Sequence, residues 1–267
     1  PHPDVTVFND HMEIPGLGFL PINAFLLHAA QPVVIDTGLG LPDRDFVSSL
    51  AEVIDPKDVR WIWLTHPDRD HTGGLFSLLD AAPHARVVTT FGGAGIMSTE
   101  RPLPMDRVYL LNPGQRLDVG DRTLTGIRPP LWDSAATVGV FDGKSGVLFS
   151  SDCFGAPLAS VEYACATNVA AVPADDLRNA QLLWSSVDSP WVQQVDPARF
   201  QQSLSPVRDL DPSWIFSVHL PPIHENTAGM LENVSLAPTA SEFVGPDQAA
   251  LEAMLASFEP QQVVAPA

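Results

Sequence analysis

Short apolar runs broken by Pro, Gly, Asp and Asn recur along the chain, and their spacing predicts alternating strands and helices. Residues 5–8 read as a short strand. Residues 19–27 and 32–35 are two apolar runs parted by His28-Ala29-Ala30-Gln31, the pattern of a hairpin. Over 43–54, Phe46, Val47, Leu50 and Val53 fall on one helical face. A strand at 60–64, a polar loop, a helix opening over 74–79, a strand at 86–90 and a short helix at 91–97 follow. From residue 107 to 150 the spacing tightens into strands at 107–111, 116–119, 122–127, 137–141 and 146–150, set off by Pro-Gly, Val-Gly-Asp and Asp-Gly-Lys turns. Helical patterns at 173–186 and 196–210, the latter opening on Asp196-Pro197, lead to a strand at 214–218 and an amphipathic helix at 247–258. The Pro-, Gln- and Ala-rich end, 259–267, is expected to fray. Strands followed by helices, twice over, indicate an α/β chain of two stacked halves within a single domain spanning 1–267.

With 267 residues and 45% hydrophobic content the chain can bury a large core. Its 14 Lys+Arg against 32 Asp+Glu give a net charge of -18. Such a surface repels phosphate backbones and anionic lipid, which argues against nucleic acid and membrane surfaces as partners. No apolar run reaches the length of a membrane span, and no signal-peptide pattern is present in these residues. Two cysteines, Cys153 and Cys165, are too few for a disulfide framework, so a reduced, cytoplasmic setting is expected.

The stretch LTHPDRDHTGG at 64–74 concentrates ligand chemistry, with His66, Asp68, Asp70 and His71 between an apolar run and a glycine pair. Residues two apart on an extended segment point the same way, so His66, Asp68 and Asp70 are expected to converge and His71 to point elsewhere. One loop would then give two ligands to each of two neighbouring metal ions. A solvated acidic turn is the plain alternative, and the strand leading in and the glycines leading out argue against it. Other ligand-type residues end other strands: Asp36 after 32–35, Asp152 after 146–150 and His219 after 214–218. Asp36 reads either as a loop cap or as a carboxylate that orients a ligand histidine.

IDTG at 35–38, the HxDxDH loop at 66–71, SSDCFG at 150–155 and SVHLPP at 217–222 together resemble the metallo-β-lactamase superfamily. The resemblance runs through nearly the whole chain and implies a four-layer αβ/βα sandwich with two metals at one edge between the sheets. The commonest loop in that superfamily is HxHxDH; Asp68 stands here in place of its second histidine. An acidic residue at that position is similar to the lactamase-like domain of flavodiiron and related oxygen-binding diiron proteins, which use Glu there. By the same resemblance Asp152 bridges the metals, while His219 completes a second site with Asp70 and His71. Flavodiiron domains carry a further histidine just before a segment like Trp132-Asp133-Ser134, and residues 128–132 here contain none. The first metal would keep His66, Asp68 and Asp152, leaving it under-coordinated or partly occupied. His224, His84 and His11 are the available stand-ins, each otherwise an ordinary surface or orienting histidine; His11 is placed first because its spacing from Asn23 resembles that of a pocket histidine in flavodiiron domains.

Three carboxylates and three imidazoles make a harder, more anionic set than the commoner loop provides, which favours iron or manganese over zinc. The resemblance then implies a diiron centre that binds or reduces O2, NO or peroxide; Trp132, Phe154 and Trp191 read either as walls of its pocket or as plain core. No flavodoxin-like domain is expected within 1–267, so turnover would draw on a separate electron donor. Cys153, beside Asp152, is a candidate redox thiol or a buried inert one. The second reading is a dinuclear zinc hydrolase of a small ester, lactone or thioester, with Asp70 doubling as ligand and proton acceptor. The third is a degenerate member that only binds. A homodimer is left open.

Overall fold

The computed structural model describes residues 2–41 and 43–258. Among these, six strands lie side by side in chain order in a first sheet: β1 (Val5–Ile14), β2 (Gly18–Leu27), β3 (Val33–Ile35), β4 (Trp61–Trp63), β5 (Arg86–Thr89) and β6 (Val108–Leu110). A second sheet of six holds β7 (Arg116–Asp118), β8 (Thr123–Ile127), β9 (Gly139–Asp142), β10 (Val147–Phe149), β11 (Trp214–Phe216) and β12 (Ile223–His224), also in chain order. Both sheets are mixed. β1 to β3 are antiparallel and β3 to β6 parallel; β7 to β10 are antiparallel, β10 and β11 parallel, and β12 antiparallel again. Each parallel step needs a crossover, and helices Phe46–Ala51, Leu75–Ala81, Phe91–Met97 and Ala174–Asp188 lie in them.

The apolar runs have no polar alternation because both faces of each sheet are covered. On β2 to β5, Phe25, Ile35, Trp63 and Val88 face the second sheet and meet Leu124, Val140, Phe149 and Phe216. The intervening Leu26, Val34, Ile62 and Val87 face outward, onto Leu50, Leu75, Leu78 and Met97. The outer face of the second sheet, through Leu148, Ile215 and Ile223, packs on Leu177, Leu204, Met230 and Val234. Helices, sheet, sheet and helices therefore stack in four layers, the α/β sandwich that the motifs imply.

Several boundaries differ from the sequence pattern. β1 continues to Ile14, past Asn9, Asp10 and His11, because it pairs with β2 over its whole length. The strand at 107–111 joins the first sheet, parallel to β5. The helix expected over 43–54 shortens to Phe46–Ala51, where the Asp45 side chain accepts from the Val47 amide at 3.1 Å. The helix expected over 196–210 divides into Pro197–Ser203 and Ser205–Leu210, with Pro206 in the first turn of the second. β12 and helix Thr227–Ser235 carry no signal strong enough to predict: one is two residues long, and the other holds Gly229 and an Asn226 cap without a side-chain bond. Helix Gln248–Phe258 lies where expected, and the fraying expected for 259–267 falls outside the described residues. Among the described residues no helix is long and apolar enough to cross a membrane.

Candidate metal centre

The ends of β4, β10 and β11 meet at one edge of the sandwich. The Ser151 hydroxyl donates to the Thr65 hydroxyl at 2.9 Å, linking the ends of β10 and β4, the Ser150 amide donates to the Phe216 carbonyl at 3.0 Å, linking β10 to β11, and the Val138 amide donates to the Thr65 carbonyl at 2.7 Å. IDTG acts as a clasp on the His/Asp loop. The Thr37 amide and hydroxyl both donate to the His71 carbonyl, at 2.7 and 2.9 Å, and the Gly73 amide donates to the Gly38 carbonyl. Gly73 has to be glycine, since a Cβ there would overlap the Leu39 backbone. Asp36 and Ser151 both adopt left-handed backbone, at φ 56° and 55°, a strained conformation for non-glycine residues and a mark of functional sites.

All three imidazoles are buried and each is anchored through Nδ1. His66 Nδ1 lies 3.1 Å from Ser151 Oγ, His71 Nδ1 3.0 Å from Asp36 Oδ2, and His219 Nδ1 2.8 Å from the Pro21 carbonyl. A carbonyl can only accept, so His219 Nδ1 carries the proton and its Nε2 is left to face the site. The three Nε2 atoms converge on Asp152. Asp152 Oδ2 is 3.4 Å from His66 Nε2, while Oδ1 is 2.9 Å from His71 Nε2 and 3.3 Å from His219 Nε2. Asp70 Oδ2 lies 3.6 Å from His71 Nε2 and 3.2 Å from His219 Nε2. Asp68 Oδ2 lies 4.0 Å from His66 Nε2.

Two features show that this cluster fits metal ions better than internal hydrogen bonds. His71 Nε2 and Asp152 Oδ1 are buried and approach closely, yet neither has a partner in hydrogen-bond geometry. Such orphaned atoms are rare in a folded protein unless a missing group satisfies them. Asp68 sits at the N-cap of helix Arg69–Thr72 but makes no capping bond, which leaves its carboxylate free to turn toward His66.

Electrostatics follow the same layout. Burial opposes charge on His219 and His71, but the carboxylates of Asp152, Asp70 and, for His71, Asp36 overcome it. The His219 imidazole is pushed up to about 10, and that of His71 well above its ordinary value. Burial likewise opposes ionisation of Asp152, and the imidazoles of His66, His71 and His219 more than compensate, holding it well below the carboxylate range. Asp70 is held low in the same way, chiefly by His71 and His219.

The structure brings all six expected ligands together, in groups that differ in one respect from strand alternation. Asp70 joins His71 and His219 instead of His66, because the chain turns helical at Arg69 and the two-residue period stops there. Asp36 stands behind His71 as an orienting carboxylate. Among the described residues none of the expected stand-ins for the missing histidine joins a group of ligand atoms. His11 is on β1, its ring against Phe19 and its Nδ1 3.7 Å from Cys165 Sγ. His224 stacks on Trp214, and His84 is exposed. Cys153 belongs to the apolar core, where burial pushes its thiol up to about 12, so it is an unreactive thiol and not a pocket residue. Phe154 is core as well. Trp132 packs on Trp191, 5.0 Å between ring centroids, and both line a cleft of about 600 Å³ together with Arg128, Pro129 and Pro130.

Three residues escaped the sequence pattern. Asp133 Oδ2 lies 3.6 Å from His66 Nε2, and Asp188 shares a group with Asp133 and Asp152 in which all ligand atoms fall within 4.8 Å. Burial, together with neighbouring carboxylates, raises Asp133 above the usual range and Asp188 up to about 8. Trp184 covers His219 edge-on at 5.0 Å, against Gly155, where a Cβ would come within 2.6 Å of the indole nitrogen. The sequence carries one usable signal, the lone Asp133 in the segment that lacks the flavodiiron histidine.

Asp36 supplies the carboxylate at His71 Nδ1, beside the Thr65 hydroxyl at 3.1 Å, so Asp36→Ala is expected to weaken the second metal position about 10- to 100-fold, the effect of removing an orienting carboxylate. Metal titration of the stripped variant measures this directly. Asp36 also accepts from the Thr65 amide and hydroxyl at 2.8 and 2.7 Å, so thermal melting should be followed in parallel.

Residues 17–158 match the family model of the metallo-beta-lactamase superfamily, and the chain belongs to that family. An uncharacterized protein of Methanocaldococcus jannaschii is 28% identical over 140 residues, 52% of this chain and 35% of its own length. An anaerobic nitric oxide reductase flavorubredoxin of Pectobacterium carotovorum is 27% identical over 134 residues, 50% of this chain and 27% of its own. Among solved structures, the rubredoxin oxygen:oxidoreductase of Desulfovibrio gigas superposes with a TM-score of 0.74 at 20% identity, over 88% of this chain and 60% of that one. The flavodiiron protein of Giardia intestinalis gives 0.74 at 16% identity, over 88% and 58%. The likeness to solved structures is one of fold, and the matched segments span about a third or less of the curated relatives' length.

Proposed function

We propose that the centre holds two metal ions, iron in the working protein, and that it binds or reduces O2 or NO with electrons from a separate donor. The observation that carries this is the placement of Asp152, whose two oxygens face different imidazole sets, Oδ2 toward His66 and Oδ1 toward His71 and His219. A carboxylate shared between two cations takes that position. His66 and Asp68 then serve the first ion, and Asp70, His71 and His219 the second. When bound, iron at such a site supplies reversible one-electron chemistry and coordination positions for a diatomic ligand. The abundance of carboxylates favours iron or manganese over zinc, and similarity to a nitric oxide reductase flavorubredoxin and a rubredoxin oxygen:oxidoreductase points the same way.

The chain's own residues position and insulate. Ser151, Asp36 and the Pro21 carbonyl fix the three rings so that every Nε2 points inward, and Trp184 shields His219 from one side. The test is to reduce iron-loaded protein anaerobically, then add O2 or NO and follow its disappearance by electrode and the iron absorption by spectrometer. Consumption of the gas by the iron form but not by the zinc form is the expected result. An inert iron form, with a zinc form that cleaves small lactones or thioesters, would instead establish the hydrolytic reading.

A further inference from the structure

We propose that Asp133 and Asp188 make the first cation position an oxygen-rich site suited to Mn2+ or Fe2+, unlike the second, so that the centre sorts two different metals. This rests on the dinuclear reading above and adds to it which residues complete the first position and what they select.

Around His66 Nε2 stand three carboxylate oxygens: Asp152 Oδ2 at 3.4 Å, Asp133 Oδ2 at 3.6 Å and Asp68 Oδ2 at 4.0 Å. They belong to three different elements, the loop after β10, the loop before β9 and the cap of helix Arg69–Thr72. Asp152 is balanced by all three imidazoles, but Asp68 and Asp133 bring two more carboxylates that face only the buried His66 imidazole (1% exposed). Asp188 makes the imbalance larger. It ends helix Ala174–Asp188, at the negative pole of the helix, and lies within 4.8 Å of the Asp133 and Asp152 ligand atoms. The Ser189 hydroxyl donates to its Oδ2 at 2.9 Å; among the described residues no basic side chain pairs with Asp188 or Asp133 except His66, with Asp133. A cation between these groups resolves the conflict. The buried, unpartnered Asp152 Oδ1 faces His71 and His219, so it marks the second position, while the same carboxylate's Oδ2 faces His66 and the first.

The two positions then differ in kind. The first offers one imidazole against Asp68, Asp133 and the shared Asp152, with Asp188 behind. The second offers two imidazoles, His71 and His219, against Asp70 and the shared Asp152. Carboxylate oxygen suits manganese and ferrous iron, while imidazole suits zinc, so the intrinsic advantage of zinc over manganese is smaller at the first position.

The experiment uses the full chain stripped by chelator and titrated with Mn2+ and Zn2+, separately and in competition. Bound manganese is counted by electron paramagnetic resonance and total metal by elemental analysis. The zinc-over-manganese preference is expected to be at least about tenfold lower at the first position than at the second, so one equivalent of zinc with excess manganese yields a mixed pair. Asp133→Asn and Asp188→Asn should each weaken first-position manganese, the former by at least about tenfold, while zinc at the second position is unchanged. Asp133→His should raise the first position's zinc preference about tenfold, and it supplies a gain that a merely misfolded variant cannot give. Equal preferences at both positions, or unchanged manganese affinity in either Asn variant, overturn the inference while leaving the dinuclear centre standing. Fewer than two ions bound by the unaltered chain would instead remove the dinuclear reading itself.

Discussion

Asp152→Ala is expected to lose both metals at once, each with an affinity more than about 100-fold lower, the upper end of what removing even an indirect carboxylate costs. Among the described residues no other carboxylate pairs with all three imidazoles. Asp152 Oδ2 meets His66, and Oδ1 meets His71 and His219, so deleting it strips a ligand from each ion together. The contrast with neighbouring substitutions gives the test its force. His219→Ala removes a group that faces Asp70 and Asp152 Oδ1 alone, and should empty only the second position. Asp68→Ala should affect only the first, and mildly, because that carboxylate is 58% exposed and 4.0 Å from His66. Elemental analysis of the three variants after identical metal loading separates these cases. Two ions retained by Asp152→Ala would show that the carboxylate bridges nothing. Asp152 is buried among groups it balances, so circular dichroism must show that the variant is folded before its metal content is read.

What the sequence discloses about this centre follows from how burial is distributed. β3, β4, β10 and β11 are covered on both faces, so they appear as unbroken apolar runs, and a polar residue just beyond such a run stands out. Asp36, His66, Asp152 and His219 are all legible for that reason. β1 has half-exposed, mixed residues on an edge strand, and its length is set by pairing to β2, a property of the partner that its own composition does not carry. The grouping of Asp70 with His71 depends on the helix that starts at Arg69, in a loop where neither period is long enough to read. Asp133 and Asp188 are the hardest cases. Each is a lone acidic residue at a loop or helix end, where most such residues are simply solvated. Asp133 becomes a candidate ligand because the Val138 amide binds the Thr65 carbonyl and draws its loop onto the end of β4. Asp188 becomes one because its helix runs toward the same edge, a long-range fact with no local signature.

Metal uptake at the second position is expected to release about two protons per ion near pH 7, so that its apparent affinity climbs about 100-fold per pH unit. In the metal-free chain, carboxylates on three sides keep His71 and His219 protonated well above the ordinary value of 6.5, His219 up to about 10. An imidazolium cannot ligate, so each ring must give up its proton, while Asp70 and Asp152, held low, have none to lose. The slope should flatten as pH nears the His219 value. Stability of the metal-free chain runs the other way. Both imidazoles have folded values above their unfolded ones, so the stabilisation they bring is whole below about pH 6.5 and fades as pH rises toward 10. The stripped protein should therefore melt at a lower temperature at pH 9 than at pH 7, and the loaded protein should show no such fall, since tighter metal binding at high pH offsets the loss. Calorimetric titration in buffers of different ionisation enthalpy counts the protons. His219→Gln should reduce the count by one, because only His71 remains to be discharged. A count near zero for the unaltered chain at pH 7 would mean that the rings are already neutral there and that the cluster of carboxylates does not hold them charged.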